Sequence, residues 1–523
     1  MKVNQEQIKT LALCASVFVL ALSVRAWTNT WLTDFWGDSY HHWFITRLTM
    51  QNGGVYSDYK GLEVVWSPLY HYVSILPLVL AGRGDLAPLQ WMNTLLGACA
   101  CALSAYLAWC LYANRVAAGA AGAILAVMTW HVAFSGMNVA EVFAGVLVLG
   151  VIVVVVKRET SNVKRETSIF GHCTLLITDH WLLFLLALAM PLTRTDLSVY
   201  LAIIVVWLWI QKRYAEGLIV VSGVVIALSG WSAWSFFKTG NFLHWVQQYT
   251  HNNLHDWVLL NPQTPNAALT FADYLNRISP FVWVALIGGV LSALTLRSEQ
   301  RKNIWLVTSL LAGHSLFLIV GYARGIVPLL TERYLALDLP LVAVLLSSWV
   351  VILSDSRIVG RSDGQNKSRR FRIINYAVAM LLVATMLLRF RNDIPELEIR
   401  RWGIDQEWQV GKFLGAHVKP GELVLTDAPV AIYRSGKPLA QFVSSVELEK
   451  WGGAPDVLKL KGVRWIVTQP DSYDAASTFI PRELYDSQSA GTADGLRFEL
   501  VWRYDPQKTD IQSEVWNVIA DSR

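Results

Sequence analysis

Charge is what this chain has least of. Asp, Glu, Lys and Arg together make up only 16% of its 523 residues, against roughly a quarter in ordinary soluble domains. With 54% hydrophobic residues and a mean hydropathy of +0.38, a soluble globular protein of this length is excluded. Cysteine is almost missing as well. Cys14, Cys99, Cys101, Cys110 and Cys173 are the only five, all in or beside apolar runs. That leaves no disulfide framework and no metal-finger spacing. Internal repeats are absent apart from a local doubling of Val-Lys-Arg-Glu-Thr, at 156–160 and 163–167, to which no chemistry is assigned. The net charge of +5 is small, and no nucleic-acid partner is expected.

What the chain has instead is long apolar runs, and 24 tryptophans that tend to flank them. Runs of roughly 17 to 25 apolar residues predict transmembrane helices, with aromatic residues at the interfaces. The spans are expected near Leu11–Ala26, Leu89–Tyr112, Ala117–Gly136, Val139–Val156, Trp181 to about 193, Leu197–Ile210, Gly217–Phe237, Phe281–Leu296, Ile304–Val320, Leu335–Leu353 and Phe371–Leu388. The first has no small-residue cleavage site after it and reads as an uncleaved helix. Pro68–Ala81 is apolar but short, and fits a helix lying along the surface or dipping partly in. The expected fold class is thus an α-helical integral membrane protein with about 11 transmembrane helices.

The basic residues divide the loops into two sets. Arg115, Lys157 with Arg158, Lys164 with Arg165, Lys212 with Arg213, Arg297 to Lys302, and Arg357 to Arg372 all fall on one side, which the positive-inside rule makes cytoplasmic. The N-terminus is then cytoplasmic, in a multi-pass protein of the cytoplasmic (inner) membrane. The loops rich in acids, histidines and aromatics face outward, as does everything after about Arg389. From there the chain turns polar and carries short β-type runs at 421–428, 462–469 and 496–504, after a helical pattern over Glu407–Ala416. These predict a small C-terminal extracytoplasmic α/β domain of roughly 120 residues, large enough for its own core. The expected division is 1–390 for the membrane domain, with a first outer loop at 27–88, and 391–523 for the extracytoplasmic domain.

That first outer loop is the segment around which the rest is organised. Between Trp36 and Tyr72 it carries Asp38, His41, His42, Arg47, Asp58, Glu63 and His71 among Trp and Tyr residues. A long polar loop of this kind is where function concentrates. Asp38 can serve as a general base or hold a divalent cation, or it can simply cap a helix beginning near Tyr40; Asp34 is the alternative carboxylate. His41 and His42 are adjacent, so they point to different faces of a helix and make no paired metal site by themselves. Glu141 opens the fourth span, suited either to an outer cavity or to the helix dipole. Arg194 and Asp196 invite an ion pair. Arg324 and Arg333 are arginines on the side where the positive-inside rule disfavours them, and their forked donors suit a phosphate. Carboxylates and arginines around an outward cavity would suit a lipid-linked, phosphate-bearing substrate.

Gly37-Asp38-Ser39-Tyr40-His41-His42, then Asn52-Gly53, Tyr56-Ser57-Asp58 and Pro68-Leu69-Tyr70 together resemble the first outer loop of the multi-spanning C-type glycosyltransferase superfamily. That group includes protein O-mannosyltransferases, the lipid A aminoarabinose transferase and oligosaccharyltransferase catalytic subunits. The segment around Glu141 resembles its second outer acidic position, Arg333-Tyr334 its recurrent Arg-Tyr start of a late span, and 421–439 its small C-terminal domain. The resemblance implies a polyprenyl-phosphate sugar as donor substrate, Asp38 as catalytic base or contact to a divalent cation, Glu141 as the second catalytic carboxylate or cation contact, and Arg333 and Arg324 on the lipid phosphate. Tyr334, His41, His42, Asp58 and Tyr70 would contact substrate. The expected activity is inverting transfer of a hexosyl or pentosyl group, on the outer face of the membrane, to a protein, lipid or glycan acceptor, with membrane lipids as the other partner. Two departures matter. The Trp-Trp-Asp signature of oligosaccharyltransferases is missing from the C-terminal region, which argues against protein N-glycosylation. Ser67-Pro68 stands where paired prolines are usual, which leaves the subfamily open. The competing reading is a transporter or flippase of lipid-linked sugars, which would ordinarily show internal repeats. A non-catalytic envelope scaffold would leave the clustered acids unexplained.

Overall fold

The computed structural model describes residues 5–32, 34, 37–57, 66–162, 169–251, 281–296, 298–323, 332–353, 366–400, 402–445, 448, 458–459, 461–468, 476–487, 490–493, 495–504 and 513–520. Asp58 and Arg324 lie outside them. The chain divides into two compact units. One comprises Met1–Leu32 and Val64–Ile394, the other Thr33–Glu63 and Pro395–Arg523.

The first unit is helical. Among the described residues, six helices are long and apolar enough to cross a membrane: Gln5–Thr28, Ala87–Tyr112, Ala140–Lys157, Tyr214–Thr239, Gln300–Gly321 and Ile373–Leu397. In a bilayer the backbone must satisfy its own hydrogen bonds, so these runs have little choice but helix. Five further apolar helices are shorter, among them Leu69–Ala81 and Phe281–Thr295. All eleven apolar segments expected from the sequence are helical, but two are not single helices, and six, or seven with the bent pair, are long enough to span. The run expected over Ala117–Gly136 breaks into Arg115–Ala126 and Thr129–Ser135, bent by 63°, and would make a seventh span if counted as one. The run expected over Leu335–Leu353 breaks into Glu332–Ala336, Leu339–Leu346 and Ser348–Ile352. Apolar residues continue straight through the first break, at Val127-Met128, whereas the second falls at Leu337-Asp338, where a carboxylate interrupts the run.

Small residues set how closely these helices approach. Asn114 caps helix Arg115–Ala126, its side-chain oxygen accepting from the Val116 and Ala117 amides at 2.9 and 3.1 Å, and a buried stripe of Ala117, Ala118, Ala120, Ala121 and Gly122 follows. A methyl group added at Gly122 would lie 2.5 Å from Val17 Cγ1 and 3.0 Å from the Cys101 carbonyl oxygen. Two neighbouring helices are therefore in contact with its bare backbone. Gly122→Val is expected to cost about 1–3 kcal/mol by overpacking, visible as a lower thermal unfolding temperature in detergent. An unchanged transition would mean that this seam is loose.

The second unit holds a six-stranded sheet, in the order β2-β1-β3-β6-β5-β4. The strands are β1 Leu423–Leu425, β2 Phe442–Val443, β3 Val463–Thr468, β4 Gly491–Ala493, β5 Leu496–Arg503 and β6 Glu514–Ala520. β2, β1 and β3 run parallel, and β6, β5 and β4 continue antiparallel. Its core gathers Leu425, Val443, Ile466, Phe498, Trp516 and Val518 with Leu448, Leu458, Phe479 and Ile480. Helices Trp402–His417 and Pro429–Ser435 pack on each other, and helix Gly37–Gln51 packs on the latter.

Candidate active site

In the first unit the polar residues converge on Glu141. It lies in the first turn of helix Ala140–Asn162, just after a loop that is pinned from behind. The Asn93 amide donates to the carbonyls of Met137 and Val139 at 2.6 and 2.9 Å and to the Tyr70 hydroxyl at 2.9 Å. The Tyr70 hydroxyl donates to Asn138 at 2.7 Å. Tyr70, a candidate substrate contact in the sequence, is fully buried, and its hydroxyl is used to hold the segment that delivers Glu141.

Glu141 is sealed at 0% side-chain exposure, while Arg194 and Arg333 retain 12% and 20%. Both guanidiniums donate to the same carboxylate oxygen, Oε1, through Arg194 Nη1 and Arg333 Nε. The Oε2 atom is buried and takes no hydrogen bond. Arg194 also grips Asp196 with two parallel bonds, Nη2 to Oδ2 at 2.8 Å and Nε to Oδ1 at 3.1 Å, so the expected pair forms. Aromatic faces complete the setting, with Arg333 Cζ 5.0 Å from the Trp66 ring centre and Arg194 Cζ 5.6 Å from that of Tyr334. Two carboxylates thus offset two guanidiniums in a nearly dry place, where an unpaired charge would be expensive. The helix-dipole and cavity readings of Glu141 are compatible, since it sits in the first turn and also orients two cations. A divalent ion fits poorly at Glu141, whose one engaged oxygen already lies against two positive groups. Among the described residues no group of three or more His, Cys, Asp or Glu could hold a metal.

Behind this cluster lies a second one that carries no sequence motif. Asp338, between the short helices, is fully buried and accepts from the Tyr200 hydroxyl and pairs with His314 Nδ1 at 2.8 Å. The Tyr200 and His314 rings stack 4.5 Å apart, and His314 Nε2 is buried without a hydrogen bond.

Asp38, His41 and His42 belong to the second unit. Helix Gly37–Gln51 starts earlier than expected, so Asp38 lies in its first turn instead of capping it, and the macrodipole favours it there. Asp38 and His41 are half-buried and His42 is buried, in keeping with their placement on different faces. The Asp34 carboxylate accepts from the Ser39 hydroxyl. Tyr40 and Trp43 pack edge-on against Tyr433, at 5.3 and 4.9 Å. Burial, then Asp34, Tyr433 and Glu407 nearby, push the Tyr40 phenol well above its usual value, so it stays protonated.

No protein-family model and no curated protein matches the sequence, but solved structures resemble the fold. The crystal structure of ArnT from Cupriavidus metallidurans bound to undecaprenyl phosphate aligns with a TM-score of 0.53 at 12% identity, over 99% of this chain and 98% of that one. The oligosaccharyltransferase of Archaeoglobus fulgidus tethered to an acceptor peptide aligns with a TM-score of 0.54 at 12% identity, over 98% and 74%. AglB from the same archaeon, in complex with an inhibitory peptide and a dolichol-phosphate, aligns with a TM-score of 0.51 at 10% identity, over 98% and 74%.

Proposed function

We propose, for a chain that carries the multi-spanning C-type glycosyltransferase fold, that it transfers a sugar from a polyprenyl-phosphate carrier to an acceptor, with inversion at the anomeric carbon. The observation that carries this reading is the pair of guanidiniums oriented by buried Glu141. Arg333 and Arg194 are held in fixed positions with part of each left accessible, which is what a leaving phosphate requires from its donors. Arg324 joins them in this reading, and the Tyr334 ring faces the Arg194 guanidinium. Glu141 orients the arginines and does not act as a base.

Asp38 is assigned as the base that takes the proton from the acceptor hydroxyl, whose oxygen then attacks the anomeric carbon as the lipid phosphate leaves. His41, His42 and Asp58 are assigned to the acceptor side. The reaction is assigned to the outer face of the cytoplasmic membrane, with residues 1–390 as the membrane transferase and 391–523 as the extracytoplasmic part that selects the acceptor. Both solved relatives in complex with a lipid hold a polyprenyl-type phosphate, undecaprenyl phosphate in one and a dolichol-phosphate in the other, which supports the carrier class.

The test is transfer or release of radiolabelled sugar from a panel of polyprenyl-phosphate sugars by the purified full chain in lipid. Carrier-dependent transfer or carrier hydrolysis names the donor. If label crosses vesicle bilayers with its carrier intact and no sugar is released, the transporter reading replaces this one.

A further inference from the structure

Asp338, Tyr200 and His314 form a buried polar cluster that the proposed chemistry leaves unused. All three are 0% exposed, and each comes from a different element. Tyr200 lies on helix Ser198–Ile210 and His314 on helix Ser298–Ala323, while Asp338 lies in the turn between helices Glu332–Ala336 and Leu339–Leu346. A carboxylate can only accept. Asp338 accepts from the Tyr200 hydroxyl on Oδ1 and from His314 Nδ1 on Oδ2, the latter at 2.8 Å. The turn is also held by its backbone, the Asp338 amide donating to the Leu335 carbonyl at 2.8 Å and its carbonyl accepting from the Val342 amide at 2.9 Å.

The spacing ties this cluster to the arginines. Tyr200 follows Asp196, and Asp338 follows Tyr334, by four residues in each case, about one helical turn. The two elements therefore meet twice. In one turn the Arg194–Asp196 pair faces Tyr334, and Arg194 shares Glu141 Oε1 with Arg333. In the next turn Tyr200 is bonded to Asp338, and His314 brings a third helix to the same carboxylate. A phosphate that engages the guanidiniums competes with Glu141 for their donors, whereas the Tyr200–Asp338 bond stays outside that competition. Well-packed apolar side chains would join the helices at lower cost, because a buried carboxylate in a membrane-spanning region is expensive. What a hydrogen-bonded carboxylate adds is direction. It holds two donors, and the helices that carry them, at set angles.

We propose that Asp338 is a positioning residue, which through Tyr200 and His314 fixes where the Arg194 and Arg333 guanidiniums stand for the carrier phosphate. The inference rests on the phosphate reading of those two arginines and does not require that sugar is transferred. Asp338 touches no substrate. Its carboxylate holds the segment that presents Arg333 against the helix that follows Arg194. Without that bond both arginines keep Glu141 but lose their fixed separation. The loss is felt most as charge develops on the leaving phosphate, because donors stabilise that charge only where they are already aimed at it.

Tyr200→Phe is the cleanest test, since it removes one hydroxyl, keeps the ring stacked on His314 and leaves Asp338 its second partner. The full chain in lipid nanodiscs is followed by thermal unfolding, by binding of undecaprenyl phosphate, and by kcat and KM for sugar transfer. Affinity for undecaprenyl phosphate and kcat are both expected to fall roughly tenfold or more, as small misplacements of catalytic donors do. Asp338→Asn, which keeps the shape but only one acceptor oxygen, should lose at least as much; if it does not fold, Tyr200→Phe decides. A merely structural tie would lower the unfolding temperature and leave affinity and kcat of the folded protein at the parent's values. That result in Tyr200→Phe would overturn the proposal. A parent that binds undecaprenyl phosphate but transfers no sugar sinks the transferase reading alone, and the proposal then stands or falls on the affinity of Tyr200→Phe. A parent that binds no undecaprenyl phosphate overturns the proposal too.

Discussion

Asp38→Asn is expected to lower sugar transfer by about 10²–10⁴-fold, the usual range for loss of a general base, while the protein expresses and unfolds as before. The structure makes this substitution chemically clean. Asp38 is half-buried in the first turn of helix Gly37–Gln51, not locked in the core, and Asn preserves its shape. The loss of the negative charge at the helix start costs about 0.3–1 kcal/mol. Activity and stability should therefore separate. Asp34→Asn is the matched control, because the Asp34 carboxylate is engaged by the Ser39 hydroxyl within the same turn and its role is to hold that turn. The measurement is initial rate against thermal unfolding for both variants. Full transfer by Asp38→Asn removes the base from the mechanism. Loss of transfer in Asp34→Asn alone would move the role four residues back.

The acids and arginines of this chain were easier to find than their partnerships. Local features read well: apolar runs became helices, Arg194 and Asp196 paired across two positions, and the β-type runs at 421–428, 462–469 and 496–504 became β1, β3 and β5. Glu514–Ala520 carries no such signal beyond its valines and isoleucine, yet it is the strand joining the parallel and antiparallel halves. The Glu141–Arg333 contact joins residues 192 positions apart, and nothing in the local pattern at either end announces the other. The same holds for Tyr200, His314 and Asp338. Each looks like an isolated polar residue in an apolar run, and the cluster exists only because the Leu335–Leu353 segment breaks at Asp338. An apolar run states that a segment can be buried, but not that it bends. Tyr70 makes the converse point. Its motif suggested a substrate contact, whereas the fold gives its hydroxyl to Asn138 and Asn93. Residues that position a catalytic segment and residues that touch substrate look alike in a sequence.

Glu141→Gln should produce the largest loss of stability of any single substitution at this site, about 3–5 kcal/mol, the cost of removing one partner from a buried ion pair. The charge count drives the expectation. In the parent, Glu141 and Asp196 offset Arg194 and Arg333. After substitution Asp196 alone faces two guanidiniums, at 12% and 20% exposure, too enclosed for water to take over fully. Gln keeps the size and can still accept, so the change isolates charge from packing. Glu141→Asp retains the charge but retracts it by one methylene, away from two donors that meet at Oε1, and should fall between the two. The reading is a shift of the thermal transition in detergent, followed by tryptophan fluorescence, for the two variants beside the parent. If Glu141→Gln unfolds within a few tenths of a kcal/mol of the parent, the arginines do not depend on Glu141 and the oriented-pair account of the phosphate site fails. If it is destabilised as expected, and added polyprenyl phosphate restores part of the loss, the lipid phosphate has taken the place of the missing carboxylate charge. That outcome would tie the ion-pair cluster to the donor directly.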